Sequence, residues 1–555
     1  MSKKIFYVIT TALSLLGILF YFSLNSVLAF VGFTTFMALP YLLGAIQIIG
    51  AVFSLIFTLH RPNKTGGIII FVWNVIFMAL CIALLIVFRS NMTDILMQGL
   101  LVLLIMLAIA AWVFIIFYLP KLEFKNKKLI SIIICAVLCL GVVVGFTDLK
   151  NLRINYVTQG AVVYAVGEDY QIVWTTEVKG TGYVTINGMT FYDTIAGSMR
   201  SEERVHKVSV PQAVLNEAKS YTINTKKMIA EQGFYADMGR VLSKTYNFRP
   251  VDESDGIQFF SVSDTHDSNN PPSKAAVYFG DKTDFIVMAG DNVSFLENDT
   301  DLNRIVNLSF KMTKGEIPVV FARGNHELKS EKSERLYRYV GSSNTNFYYT
   351  FRLGSVWGLV LDMGEDHEDD WYEFFGTAVF DSYRKEQIAF LDEIIANKAN
   401  EYEAEGVTLK IGICHIPTAF TDYERDYMYA DLLNINTRLN QIGLNAMVSG
   451  HLHEVFITEN DYAAGTTLTY MDNYNGKINT KPKYIAAGAE YYNIICSKRS
   501  RSQREKEKGG RYFTGAALEW DGTELTLKFV NDKQSVVSTI SPFENKDYGK
   551  IITVK

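Results

Sequence analysis

The apolar positions of this 555-residue chain follow two different patterns. Up to about residue 155 they run on almost unbroken. Ile5–Leu59 carries no charged residue, and further apolar runs cover Ile68–Phe88, Ile95–Tyr118 and Leu129–Phe146. A helix needs roughly 20 apolar residues to cross a bilayer, and each run reaches about that length. With a turn near Asn25-Ser26, the pattern predicts a transmembrane domain over 1–148 with five helices, at about 5–24, 38–59, 68–88, 95–118 and 129–146.

Beyond residue 155 the period changes. Ala161–Val166, Tyr170–Thr175, Gly182–Ile186, His206–Val210 and Ser220–Asn224 are short strand-like runs separated by turn residues. Recurrence of this kind predicts a β-sandwich over 156–250, with Trp174 as its core tryptophan and His206 as an ordinary strand residue. From 256 to 545, strand-like runs such as Ile257–Ser263, Phe285–Met288, Val319–Ala322 and Leu409–Cys414 alternate with helical pattern at 302–314 and 382–404. In the second helix Ile388, Leu391, Ile394 and Ile395 share one face, the pattern of a helix laid on a sheet. An α/β domain of two packed mixed sheets flanked by helices is the expected fold.

Charge sets an orientation. Lys3-Lys4, then Arg61 and Lys64, then Lys121, Lys125, Lys127 and Lys128 alternate with loops nearly free of charge. Excess Lys/Arg marks the cytoplasmic side, so five spans place everything after Asp148 outside. The expected location is therefore the cell membrane, multi-pass, with an extracytoplasmic catalytic domain and the lipid bilayer as partner. Residues 156–555 carry 42 Lys/Arg against 55 Asp/Glu, a net −13. An acidic domain repels a phosphate backbone, so a nucleic-acid duplex is disfavoured as a partner. One basic stretch, Lys498–Arg511, is read as a solvated loop. Cys414 and Cys496 alone lie outside the apolar runs, and no disulfide framework is visible.

Candidate chemistry sits at the ends of the strand-like runs. Asp264-Thr-His266 is followed by Gly290-Asp291, Gly324-Asn325-His326-Glu327, His415 and Gly450-His451-Leu-His453. The chain has eight histidines, and five of them fall in these blocks. Mixed carboxylate, amide and imidazole donors, with one carboxylate able to touch two ions, suit a pair of divalent or trivalent metals about 3.5–4 Å apart. Manganese, iron and zinc all fit such a donor set.

The order of these blocks resembles the calcineurin-like metallophosphoesterase superfamily, which includes purple acid phosphatases and cyclic-nucleotide phosphodiesterases. The resemblance implies that Asp264, His266, Asp291 and His453 hold one metal. Asp291, Asn325, His415 and His451 would hold the other, with Asp291 bridging and a hydroxide between the ions attacking phosphorus. His326 resembles the outer histidine that stabilises the transition state or protonates the leaving oxygen, and Arg323 would help neutralise the phosphate. The upstream sandwich is similar to the fibronectin type III-like domain that precedes the catalytic domain in purple acid phosphatases. The acidic run Leu361–Asp370 also resembles bacterial proteins of that kind. One departure narrows the subfamily: Ser294 stands where a purple acid phosphatase has its iron-ligating tyrosine.

The expected function is a membrane-anchored, metal-dependent phosphoester hydrolase. A cyclic-nucleotide diesterase, a diesterase of lipid or wall-polymer phosphate, and a non-catalytic membrane sensor of phosphorylated ligands stay open beside it. Almost no ionisable residue falls within the apolar runs, which argues against a transport path. The polar stretch 457–483, directly after His453, is where selectivity would be built.

Overall fold

A computed structural model describes residues 157–158, 160–231, 236–374, 376–424, 426–459, 462–474, 477–496, 513–543 and 546–554, with the isolated residues 9 and 12. The five expected spans at 5–24, 38–59, 68–88, 95–118 and 129–146 lie outside the described residues but for those two positions. The expectation of a multi-pass membrane protein is corrected. Among the described residues, no helix is long and apolar enough to cross a membrane. The longest of them, Phe380–Ala396, has 17 residues and carries charges at Asp381, Arg384, Lys385, Glu386, Asp392 and Glu393. Such a helix is too short and too polar for a bilayer core.

Two sheets carry the candidate site. In the first, the strands Ile257–Val262, Thr283–Ala289 and Pro318–Ala322 run parallel and side by side. Thr514–Trp520 pairs antiparallel on one side of Ile257–Val262 and is itself followed by Leu525–Asn531. In the second, Val356–Leu361, Leu409–Cys414, Ala446–Ser449 and Tyr492–Ile495 are parallel neighbours, edged by the antiparallel Tyr349–Leu353 and Phe456–Thr458. The parallel strands are buried on both faces and alternate residues serve two different cores, as covered sheets require. Phe259, Val287, Val320, Ile411, Ile413 and Val448 point into the shared layer between the sheets. Phe260, Ile286, Met288 and Phe321 face the helix Asp299–Thr313 on the outside of the first sheet. Leu359, Leu361 and Met447 face Phe380–Ala396 and Tyr429–Ile442 outside the second.

The helices begin and end where local chemistry allows. Asn298 caps Asp299–Thr313 by accepting from Thr300 N at 2.9 Å, and Asp301 returns the bond to the Asn298 backbone. Such a reciprocal pair satisfies N–H groups the first turn leaves open. The helix expected over 382–404 stops at Ala396 instead, and a short 3-10 turn over Lys398–Asn400 follows. Its buried face is Arg384, Gln387, Leu391 and Ile394, so two polar side chains join the predicted apolar stripe.

The strands upstream of residue 256 do not close on themselves. Val162–Val166 lies parallel to Pro318–Ala322 and extends the first sheet. The 18-residue strand Asp169–Ile186 then changes partners along its length. Its first half pairs with Val162–Val166 and Glu203–Pro211, its second with Met189–Tyr192. Trp174 is fully buried and donates from Nε1 to Thr225 Oγ1 at 2.9 Å, as a core tryptophan should. His206 is fully buried too, its ring 5.1 Å from that of Trp174. Lys207 Nζ reaches the Tyr337 and Val340 carbonyls at 2.8 and 2.9 Å and Ser342 Oγ at 2.7 Å, while Arg338 pairs with Asp193 at 2.7 Å.

Candidate metal centre

Parallel strands of both sheets end at one edge, and the loops that leave them carry every predicted ligand. From the first sheet come Asp264 and His266 after Val262, Asp291 after Ala289, and Asn325 and His326 after Ala322. From the second come His415 after Cys414 and His451 and His453 after Ser449. Ligands at the carboxyl ends of strands open into a common crevice and inherit the stiffness of the sheet.

Close approach demands unusual backbone. Asp264, His266, Asp291, His451 and His453 all have positive φ, between 38° and 69°. Such conformations are strained for residues with a Cβ and persist where the surroundings over-determine them. Bonds among the strand-end loops do so here, the last of them from the second sheet to the first. Asp264 N donates to the Gly290 carbonyl at 3.0 Å, His266 N to that of Asp291 at 3.0 Å, and His451 N to Asp264 Oδ1 at 3.0 Å. Two motif glycines make room. A Cβ on Gly324 would sit 2.3 Å from the Asp291 backbone nitrogen, and one on Gly450 would sit 1.8 Å from Ser263 Oγ.

Four predicted ligands converge tightly. One donor atom from each of Asp264, His266, Asp291 and His453 lies within 4.8 Å of the others. His266 Nε2 and His453 Nε2 are 3.1 Å apart, and His453 Nε2 is 3.5 Å from Asp264 Oδ1. Burial holds His266 down to about pKa 4 and lowers His453 as well, so both rings are neutral near pH 7. Two neutral imidazoles that turn nitrogens toward each other and toward buried carboxylates are the donor set a cation settles.

The other predicted ligands surround Asp291. Its Oδ2 lies 3.2 Å from His415 Nε2, 3.8 Å from His266 Nε2 and 3.9 Å from His326 Nε2, and its Oδ1 accepts from His326 N at 2.9 Å. Burial alone would raise its pKa, but the pull of His415, His326 and His266 outweighs burial and keeps the carboxyl below its usual range. Asp264 goes the other way, pushed up to about 7 by burial with Asp291 adding to it. His415 is opposed by burial yet raised to about 10 by Asp291 and Asp264. Its Nδ1 is bonded to the Ala289 carbonyl at 2.7 Å, which leaves Nε2 for the site. Asn325 Oδ1 is a buried polar atom with no hydrogen-bond partner among the described residues, and His415 Nε2 meets only the Asp291 carboxylate. Orphans of this kind call for a missing electrophile, and the residues present fit a metal centre.

Several residues around the ligands carry no assignment in the sequence reading. Glu327 accepts from the backbone of Asp291 at 2.9 Å, Asn292 at 2.6 Å and Gly324 at 2.9 Å, pinning two ligand loops to each other. Burial pushes it up to about pKa 7, with Asp291 adding to the rise. Its position directly after His326 was the signal. Glu365 and Asp366 touch Asn325 and His451, at 3.0 Å and 3.1 Å, and the acidic run 361–370 marked them only as a group. His326 is placed as expected beside Asp291, with Nδ1 bonded to the Ser294 carbonyl at 2.8 Å.

Arg323 is engaged elsewhere. Its guanidinium binds Asp362 Oδ2 at 2.7 Å and lies 4.5 Å from the ring centre of Phe347. Its charge is thus neutralised by a buried carboxylate, and among the described residues no hydrogen bond or ion pair brings it to the ligand cluster. His367 stacks on Trp371 at 4.2 Å, and Cys414 is a buried strand residue whose thiol burial pushes up.

Residues 257–455 match the model of the calcineurin-like phosphoesterase family. The chain carries a calcineurin-like phosphoesterase domain. The matched range begins with the strand before Asp264 and ends two residues after His453, so it encloses all five ligand blocks. Among solved structures, purple acid phosphatase PPD1 from yellow lupin (Lupinus luteus) seeds is similar over 71% of this chain and 73% of its own, at 9% identity and a TM-score of 0.40. A structure of PhoD is similar over 72% of this chain and 89% of its own, at 11% identity and a TM-score of 0.40. No curated protein sequence matches.

Proposed function

We propose that the domain hydrolyses phosphoesters with the help of two metal ions. Asp264, His266, Asp291 and His453 would hold one ion, and Asp291, Asn325, His415 and His451 the other, with Asp291 shared. Bound there, such ions would supply Lewis acidity and a more acidic water, the chemistry that phosphoester hydrolysis needs near neutral pH. The observation that carries this reading is the convergence of four donors within 4.8 Å.

The chain's own groups account for the remaining steps. The Asp291 carboxylate stays ionised because three imidazoles surround it. The Ser294 carbonyl accepts from His326 Nδ1–H and so fixes that ring, leaving Nε2 facing the place of a phosphoryl or leaving-group oxygen. Glu327 keeps the Asp291 and Gly324 loops in register during turnover. Ser294 gives no phenolate, so the centre relies on carboxylate, amide and imidazole donors alone.

The test is turnover by the purified full-length chain in manganese, with nitrophenol release followed from mono- and bis-nitrophenyl phosphate. Activity on either ester is expected, and the preferred one separates mono- from diesterase. Asp291→Asn should lower kcat/KM at least about a thousandfold, because one carboxylate serves both ions. Metal bound at full stoichiometry with no release from either ester would refute the hydrolase.

A further inference from the structure

We propose that Glu365 and Asp366 are positioning residues that select which atom of Asn325 and which ring nitrogen of His451 is offered to metal. The inference rests on the two-ion reading above. Both residues follow the strand Val356–Leu361, whose parallel neighbour Leu409–Cys414 ends at His415, so their loop leaves the sheet beside the ligands.

An amide and an imidazole are each ambiguous as ligands. An asparagine ligates through oxygen and not through its NH2, and a neutral imidazole ligates only through the nitrogen that lacks a proton. Asn325 Nδ2 lies 3.0 Å from both Oε1 and Oε2 of Glu365. With both Glu365 oxygens at hydrogen-bond distance from Nδ2, the NH2 is held toward Glu365. Oδ1 is then the amide's other atom, buried and without a hydrogen-bond partner among the described residues. His451 Nε2 lies 3.1 Å from Asp366 Oδ2, which by the same logic fixes the proton on Nε2 and leaves the lone pair on Nδ1.

The two carboxylates act as one unit. Asp366 N donates to Glu365 Oε1 at 3.0 Å, and Lys329 Nζ sits 3.7 Å from Glu365 Oε2 and 3.5 Å from Glu373. Glu365 is fully buried, so its orientation is not averaged by solvent. Released from this pair, Asn325 could turn its NH2 toward the cation and His451 could exchange tautomers, and each change removes a ligand.

The experiment compares full-length wild type with Asp366→Leu and Asp366→Asn. Manganese is titrated into each metal-free protein, ions are counted, and electron paramagnetic resonance reports whether the bound ions are spin-coupled. Wild type is expected to bind a coupled pair. Asp366→Leu should retain one ion and weaken the other 10- to 100-fold, with the coupled signal replaced by that of an isolated ion. Asp366→Asn keeps an acceptor for the Nε2 proton and should recover most of the lost affinity. Equal loss in both variants, or undiminished pair binding in Asp366→Leu, overturns the proposal. A second measurement needs no folded variant: nitrogen-15 NMR of histidine-labelled, metal-free wild type should show His451 protonated at Nε2, and an Nδ1–H tautomer would sink the clamp. A wild type that binds no manganese would instead refute the two-ion reading, while the tautomer still decides the clamp.

Discussion

The two halves of the candidate centre are built by different means. The half formed by Asp264, His266, Asp291 and His453 is gathered by backbone: all four residues have positive φ, a feature His451 of the other half shares, and hydrogen bonds between strand-end loops hold Asp264 and His266. The half formed around Asn325, His415 and His451 is aimed by distant groups: Glu365 for the amide, the Ala289 carbonyl for His415 and Asp366 for His451. Asp291 belongs to both. Backbone strain fixes positions to within the stiffness of a sheet, whereas side-chain partners fix which donor atom is presented. A centre that needs both position and polarity uses each device where the sequence makes it available.

His326 belongs to neither half. Its backbone N–H is tied to Asp291, and its ring is oriented by a hydrogen bond to the Ser294 carbonyl. His326→Ala should lower kcat by about 10²- to 10⁴-fold while metal content stays at the wild-type value. Metal analysis alongside steady-state kinetics checks this. Parallel loss of metal and turnover would make His326 a member of the ligand set and erase the division.

Much of the centre was legible because ligand residue types end apolar runs, and five such runs occur in one order. Hydrophobic period identifies a strand and the residue that leaves it. It does not identify partners. Glu365 meets Asn325 across 40 positions and Asp366 meets His451 across 85, and nothing in a short acidic run announces either pairing. For the same reason the upstream strands were legible as strands, but not the parallel pairing of Val163 with Pro318 that joins them to the catalytic sheet. Arg323 was assigned by proximity to Asn325 in sequence, which does not reveal that its carboxylate partner Asp362 comes from the other sheet. The apolar runs before residue 155 supported an inference about location that the described helices overturn.

Proton linkage gives a second, smaller test of how the halves are coupled through Asp291. In the protein's own field, burial lowers the His415 pKa, but Asp291 and Asp264 outweigh burial and raise it to about 10. A group whose folded pKa is raised contributes stability that is present below its unfolded value of about 6.5 and is lost as pH climbs through 10. Asp264, Glu327 and Glu365 are raised only to about 7, so their own loss is largely complete by pH 8. Between pH 8 and 10 the Tm of metal-free wild type should therefore fall more steeply than that of His415→Gln. Thermal melts of both proteins across that window provide the comparison, and identical slopes would mean that Asp291 does not hold His415 as a cation.

The smallest effect on turnover is expected at Arg323, where residue type and position mislead together. An arginine beside a metal ligand is an obvious phosphate clamp, because its fork matches phosphate oxygens. Here the fork is already occupied. Nε and one terminal nitrogen both reach Asp362 Oδ2, and the guanidinium carbon lies over the Phe347 ring. Asp362 Oδ1 in turn accepts from Gly364 N at 3.0 Å, at the root of the loop that carries Glu365 and Asp366. Arg323→Gln should thus change KM by less than about tenfold, below the 1.4 kcal/mol that one decade represents. It should cost about 3–5 kcal/mol of stability, because Asp362 would be left buried without its cation. Steady-state kinetics beside denaturant unfolding separates the two effects. A large rise in KM at unchanged stability would return Arg323 to the substrate and make the pairing with Asp362 a resting contact that phosphate displaces.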